Sequence, residues 1–374
     1  MKTTLTALML SFFTLQLCAQ EAAPNPNDFD LVTNDDYTIE VVVPELTNPW
    51  GLAFLPDGAL LITEKAGELI HFKDGIKTLL TGVPEVFARN QGGLLDIKLH
   101  PDYANNGWIY LTYSSIEGEE SGAHTALIRF KLEGTAITNI EKLYKGSPNT
   151  RKAHHFGSRI AFDAQNHVYF SIGDRGARDE NPQDITKDGG KIYRLNDDGS
   201  IPSDNPFVNA SDAKKGIWSY GHRNPQGLAV HPETGAIWNH EHGPKGGDEV
   251  NIPEAGKNYG WPVISYGINY SGTEFTEITE KEGMEQPIYY WVPSIAPCGM
   301  DFVVNSAYTE LDGDLLVGSL KFKYIERLKV KGNKIVGREK LLDEAGRMRN
   351  VVMGPDGHIY LGIEGLGIAK MIKK

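Results

Sequence analysis

Apolar and polar positions alternate with a period of two along much of this chain. Six times the alternation runs through the same succession: a strand, a turn built on Pro, Asp, Asn or Gly, then a second strand. The copies begin at Leu52 (LAFLPDGALLITE), Ile97 (IKLHPDYANNGWIYLTYS), Ile160 (IAFDAQNHVYFSIGD), Leu228 (LAVHPETGAIWNHEH), Met300 (MDFVVNSAYTELDGDLLVGSL) and Val351 (VVMGPDGHIYLGIEG). Period-two alternation on both sides of a turn predicts a β-hairpin, and hairpins recurring on this scale predict radial repetition. The separation of Pro56 and Pro101 fits the roughly 40–50 residues of a propeller blade. Later intervals are longer, so their extra residues form loops. Six units predict an all-β fold: a six-bladed β-propeller of four-stranded antiparallel sheets, one domain over residues 38–374.

The repeats also locate a mouth. In a hairpin, the entry to the first strand and the exit from the second lie at the same end. Gln91 stands before the second copy. His154, His155 and Arg159 stand before the third, with Asp174 and Arg175 at its exit. Arg223 and Asn224 precede the fourth, which closes on His240, Glu241 and His242. Lys321 follows the fifth, and Arg347 and Arg349 precede the sixth. Taken singly, each has a plain reading. His155 is a hydrogen-bonded structural residue, Asp174 a turn residue, Lys321 surface beside Lys323, and Arg347 with Arg349 a solvated strand face. Together they converge on one end of a central channel, a usual place for a ligand pocket.

Composition sharpens that reading. Hydrophobic content of 40% with 10% aromatics supports a packed interior, and a formal charge of −12 argues against a nucleic-acid surface. A cationic cluster in so acidic a chain therefore needs its own explanation. Arg223, Lys321, Arg347 and Arg349 suit a ligand carrying several carboxylates or phosphates, which arginine binds with paired hydrogen bonds. His155 suits a general base near neutral pH, with Asp174 to orient it. No serine nucleophile elbow, Walker loop or dinucleotide fingerprint is present. The phrase Gly173-Asp174-Arg175-Gly176, in its strand context, is not a phosphate loop.

A second constellation runs from His240 to Glu249 (HEHGPKGGDE) and on to Asn258–Pro262 (NYGWP). His240 and His242 lack a third soft ligand for zinc. The Gly- and Pro-rich turn exposes carbonyls, and Asp248 and Glu249 add carboxylates, an oxygen-only set that suits calcium. The plain alternative is a long loop with an Asx turn.

At the N-terminus, Lys2, the apolar stretch Leu5–Leu17 and Cys18-Ala19-Gln20 predict an export signal over 1–20 and a periplasmic or secreted protein. That stretch is too short for a membrane span, and no other segment reads as transmembrane. Cys18 raises lipidation as an alternative, against which stands the bulky Leu17. Residues 21–37 read as a flexible leader. With Cys18 removed or lipidated, Cys298 has no partner for an intrachain disulfide.

Several motifs recur in an order that belongs to one family: NQGGLLDIKLHPDY (90–103), HHFGSR (154–159), SYGHRNPQGL (219–228), EHGPKGGDE (241–249), KNYGWP (257–262), GINYSG (267–272), VPSIAPCGM (292–300), GSLK (318–321) and RMRNVV (347–352). On these, from about Asn48 to the C-terminus, the chain resembles the soluble pyrroloquinoline-quinone (PQQ)-dependent aldose sugar dehydrogenases, relatives of soluble quinoprotein glucose dehydrogenase. The resemblance implies oxidation of an aldose at its anomeric hydroxyl to the lactone, with hydride passing to PQQ and electrons leaving to an external acceptor. It implies His155 as base, flanked by Gln91 and Asp174. Gln91, Arg223, Asn224, Tyr270, Lys321, Arg347 and Arg349 would hold PQQ. Carbonyls of Gly243 and Pro244 would hold a calcium ion that polarises the quinone, and Glu249 and Tyr259 would belong to a second, structural calcium site. A monomer or weak dimer is implied by insertions shorter than those of the glucose enzyme. Two departures concern the sugar: His154 replaces an acidic residue, and the aromatic near Trp291-Val292 is displaced by one position. Competing readings are a calcium-dependent lactonase on a similar propeller, which would need carboxylates around one metal, and a non-catalytic propeller that binds glycan or protein.

Overall fold

The computed structural model of the chain describes residues 28–374. Six sheets follow one another along it, and each predicted hairpin forms the inner pair of strands of one sheet. Those pairs are Pro49–Phe54 with Leu60–Glu64, Leu94–Leu99 with Ile109–Ser115, and Ile160–Phe162 with Val168–Ile172. They continue with Pro225–Val230 and Ile237–Glu241, Pro297–Phe302 and Leu315–Ser319, and Met348–Met353 and Ile359–Ile363. The first strands neighbour one another in a closed ring, from Pro49–Phe54 round to Met348–Met353 and back. The fold is a six-bladed β-propeller of antiparallel sheets.

The second strand of every blade is buried along its whole length, because both faces of the blade pack against neighbouring blades. Such strands read as nearly continuous apolar runs, and strict alternation survives better further out. Where a hydroxyl enters the run it has a task. Thr63 Oγ1 donates to the Leu95 carbonyl at 2.5 Å, Thr112 Oγ1 to Ser158 at 2.6 Å, and Ser171 Oγ to Pro225 at 2.9 Å. Each bond runs from one blade to the start of the next, so buried polar atoms are paired and adjacent blades are pinned.

The sixth blade takes its outer strand from the other end of the chain. Tyr37–Pro44 pairs antiparallel with Gly367–Lys373. A further strand, Val32–Asn34, lies parallel to Lys334–Leu341 and gives the fifth sheet a fifth member. This corrects the expectation of a flexible leader for its described part. An outer strand presents unpaired N–H and C=O groups, and three residues meet them in a segment too short to show alternation. The export signal over 1–20, Cys18 and residues 21–27 lie outside the described residues. Cys298 is a buried free thiol. Among the described residues, no helix is long and apolar enough to cross a membrane.

Arg159 ties the ring together. From the third blade its Nε donates to the Gln226 carbonyl at 2.9 Å. Its Nη1 donates to the Trp50 carbonyl and to Asp96 Oδ1, both at 3.1 Å, and its Nη2 to the Arg349 carbonyl at 2.5 Å. Cys298 Sγ lies 3.6 Å from Nη2, and the guanidinium stacks 3.8 Å over the Trp50 ring. One buried side chain thus touches every blade. Asp96 is buried too and also accepts from Ile160 N at 2.9 Å. Removing one partner of such a pair strands the other charge. Arg159→Met is therefore expected to cost about 3–5 kcal/mol, read as a lower denaturant midpoint at unchanged m-value. An unchanged midpoint would refute the tie.

Candidate active site

The loop before the third blade carries His155 to the propeller mouth, and the exit of the same hairpin carries Asp174. His155 Nδ1 lies 2.6 Å from Asp174 Oδ1, and the His155 side chain retains 13% exposure against 1% for Asp174. Gln91, reaching over from the entry to the second blade, accepts the His155 backbone N–H at 2.7 Å. Asp174 is held in turn by the Trp261 indole N–H at 2.9 Å on Oδ2 and by Gly176 N at 2.6 Å on Oδ1. These bonds fix the imidazole with Nε2 as its unengaged nitrogen.

Burial lowers the pKa of His155. The bond to Asp174 works the other way, but the charges of Arg223 and Arg175 add to the lowering. The imidazole is therefore neutral at neutral pH, the state a proton acceptor needs. Burial alone would raise Asp174, yet its bond to His155 and the nearby Arg223 leave it below the ordinary carboxylate value. His154 packs edge-on to His155 at 4.7 Å, and burial beside that ring lowers it to about 4.

Two adjoining cavities open here. The smaller, about 330 Å³, is lined by His154, His155, Asp174, Arg223 and Trp261 among others. The larger, about 1080 Å³, is lined by Lys65, Gln91, Lys321, Arg347, Arg349 and Glu364 among others. Pro244 and Tyr270 belong to both walls, so the two form one cleft. Of the side chains expected at one end of the channel, His154, His155, Asp174 and Arg223 line the smaller cavity and Gln91, His242, Lys321, Arg347 and Arg349 the larger. Arg159, Arg175, Asn224, His240 and Glu241 line neither and are buried.

The cations are pre-set by Glu364. Its Oε2 accepts Arg347 Nε at 2.6 Å and its Oε1 accepts Arg349 Nε at 2.5 Å. Burial works against the Arg349 charge, but Cys298 and Glu364 more than restore it. Lys65 is lowered by burial and then by Arg349. Arg223 Nη1 spans the carbonyls of His242 and Gly243 at 2.9 and 2.7 Å. Buried Arg223 Nε, Asn224 Nδ2 and Gln226 Oε1 have no partner among the described residues. A polar cleft ringed by cations, with donors left over, fits an anionic ligand such as PQQ.

Calcium is a different test. Among the described residues, no group of three or more His, Cys, Asp or Glu side chains is placed to hold a metal. The Gly243 carbonyl is engaged by Arg223, while Pro244 stands where the cavities meet. Glu249 and Tyr259 line neither cavity. Glu249 belongs to the body of the fourth blade, where Asn239 faces Asn251 and Glu241 faces Glu249 across neighbouring strands, and Tyr259 lies in the loop that follows. Asn251 Nδ2 donates to Glu241 and Glu249 at 3.3 and 3.2 Å, yet the amide oxygens of Asn239 and Asn251 are buried without partners. Burial and then the Glu241 charge push Glu249 well up. Two carboxylates and two unused amide oxygens suit a hard cation. The Tyr259 phenol is engaged elsewhere, donating to the Ile252 carbonyl at 2.5 Å and stacking on His222, so only its main chain is left to contribute.

The sequence reading missed Lys65, Glu364 and Trp261. The first two stand at the exits of the first and sixth hairpins, so the entry-and-exit rule applied to all six copies would have found them. Trp261 acts through a long loop, and no local signal marks it. Trp291 is buried in the core against Tyr289, and exposed Val292 faces the cleft in its place.

Residues 46–369 match the family model described as Glucose / Sorbosone dehydrogenase. The aldose sugar dehydrogenase YliI of Escherichia coli (strain K12) is 42% identical over 331 residues, covering 86% of this chain and 89% of that protein. The apo-form structure of the soluble aldose sugar dehydrogenase from Escherichia coli superposes with a TM-score of 0.87 at 40% identity, over 90% of this chain and all (100%) of that one. The PQQ-bound aldose sugar dehydrogenase from Streptomyces coelicolor superposes with a TM-score of 0.72 at 26% identity, over 91% and 99%.

One consequence of the electrostatics is directly measurable. With histidine labelled at Cε1, the resonance that disappears in His155→Ala should titrate below the ordinary 6.5. A midpoint above that value would show that Asp174, rather than burial, dominates.

Proposed function

The chain belongs to the glucose/sorbosone dehydrogenase family, and we propose that it is a quinoprotein that oxidises the anomeric hydroxyl of aldose sugars to the lactone, with PQQ and calcium as its cofactors. The observation that carries this reading is the meeting of Lys321, Arg347 and Arg349 in one cavity that adjoins the His155–Asp174 pair, in a protein of formal charge −12. A ligand with several carboxylates answers that cluster, and PQQ is one.

Gln91, Arg223, Asn224, Tyr270, Lys321, Arg347 and Arg349 would hold the quinone, and the Gly243 and Pro244 carbonyls a calcium ion beside it. When bound, the pair supplies a two-electron acceptor polarised by a Lewis acid. The protein supplies the proton chemistry. Neutral His155 accepts the anomeric hydroxyl proton at Nε2, since Nδ1 is committed to Asp174. Asp174 keeps that tautomer and stabilises the imidazolium that forms. The Trp261 indole and Gly176 N hold the carboxylate still while this happens. A structural calcium at Glu249 and the Tyr259 main chain, with Asn239, Glu241 and Asn251 close by, would satisfy the unused oxygens of the fourth blade. The export signal expected over 1–20 would send the activity to the periplasm or outside the cell, where an external acceptor would take the electrons.

The lactonase alternative calls for carboxylates around one metal. In the cleft, Glu364 is already paired with Arg347 and Arg349, and Asp174 with His155.

Purified protein should oxidise aldoses with a dye acceptor only when PQQ and calcium are both supplied. Absence of turnover over a broad aldose panel after such loading would sink the reading. His155→Ala should keep the absorbance of bound quinone while turnover falls by about 10²–10⁴-fold. Arg349→Ala should instead lose the quinone on dialysis.

A further inference from the structure

The phrase Gly173-Asp174-Arg175-Gly176 has one member, Arg175, whose part in the site is still open. We propose that Arg175 is a positioning residue for His155: its guanidinium clamps the main chain that presents the imidazole to the cleft. The inference rests on His155 being the base.

The segment around His155, residues 151–159, forms no strand, so a sheet does not satisfy its carbonyls. Within it His155 sits at φ 56°, a left-handed conformation that a side chain with a Cβ adopts only when its surroundings impose it. Arg175 is part of those surroundings. Its Nη1 donates to the His154 carbonyl, and its Nη2 donates to the Lys152 carbonyl at 2.6 Å, with Ala123 O at 3.3 Å and Thr150 Oγ1 at 3.4 Å. The planar fork thus holds carbonyls on the His155 loop and on the strand edge beside it, a task the single point of a lysine cannot repeat.

The two glycines of the phrase make room for the same loop. A Cβ on Gly173 would stand 2.4 Å from the His155 carbonyl oxygen, and one on Gly176, at φ 67°, would stand 2.2 Å from His154 Nε2. Asp174 binds the His155 ring, as described above. All four residues therefore serve the His154-His155 pair.

Arg175 is an expensive way to hold a loop. It is fully buried, stacks 3.5 Å from the Phe156 ring, and no carboxylate among the described residues bonds it. Burial draws it down to about 9. A neutral side chain would fill that space without the desolvation cost, so both the fork and the charge bear on His155. The groups facing His155 are Asp174, bonded to Nδ1, the charges of Arg223 and Arg175, and the rings of His154 and His242. Of these, Arg223 and then Arg175 lower the histidine, and Asp174 raises it. Its removal therefore raises the His155 midpoint.

Arg175→Met removes fork and charge; Arg175→Lys keeps the charge and loses the fork. In Arg175→Met, turnover should fall roughly 10- to 100-fold with PQQ retention unchanged, and the His155 Cε1 resonance of the cofactor-free protein should titrate at higher pH than in wild type. In Arg175→Lys the midpoint should stay at the wild-type value while turnover still falls. Wild-type turnover and midpoint in Arg175→Met would overturn the inference, as would loss of turnover matched by equal loss of quinone. Should the Met variant not fold, Arg175→Lys at wild-type turnover overturns it alone. His155→Ala, run alongside, separates the two readings: if it keeps full activity the base assignment fails, whereas if it is inactive and both Arg175 variants behave as wild type, only the clamp fails.

Discussion

The structure depends on one buried guanidinium at its centre. A propeller has no single core. Its blades pack pairwise through apolar faces, and those contacts are indifferent to small rotations about the axis. Hydrogen bonds from Arg159 to carbonyls of the first, fourth and sixth blades, with the ion pair to Asp96 in the second, are directional. They set the blades' register at the depth where the cleft begins. Arg349 is joined to this tie through its carbonyl and to Glu364 through its side chain. The frame and the cationic cluster therefore share a residue.

That cluster illustrates how a carboxylate holds neighbouring cations together in an acidic protein. Glu364 neutralises part of the repulsion between Arg347 and Arg349 and orients both guanidinium groups. The cost of ordering two long side chains is met during folding rather than at binding. The same logic holds for His155, which is held by Asp174 and Gln91 and, through the His154 carbonyl, by Arg175.

Much of this was legible in the residues because propeller blades repeat. The hairpins of period two gave each blade's inner pair, and their entries and exits gave Gln91, His155, Asp174, Arg223, Lys321, Arg347 and Arg349 as sharers of one end. What could not be read depends on distances that cross the sequence. Asn239 and Asn251 look like ordinary polar strand residues until the register sets them opposite one another beside Glu241 and Glu249. Arg159 reads as a rim residue by its position in HHFGSR, and only the ring geometry sends it inward. Val32–Asn34 is too short to carry a period. Trp261 reaches Asp174 from a loop whose path no local rule determines.

The pairing of Tyr37–Pro44 with Gly367–Lys373 has a consequence for how the cleft comes into being. Lys65, Lys321, Arg347 and Arg349 come from the first, fifth and sixth blades, the ones that flank this seam. A chain still emerging from the ribosome has the early wall and lacks the late one until its last residues are free to dock. The full cationic cluster is thus assembled at the same moment that the circle shuts, and an incomplete molecule presents only part of it.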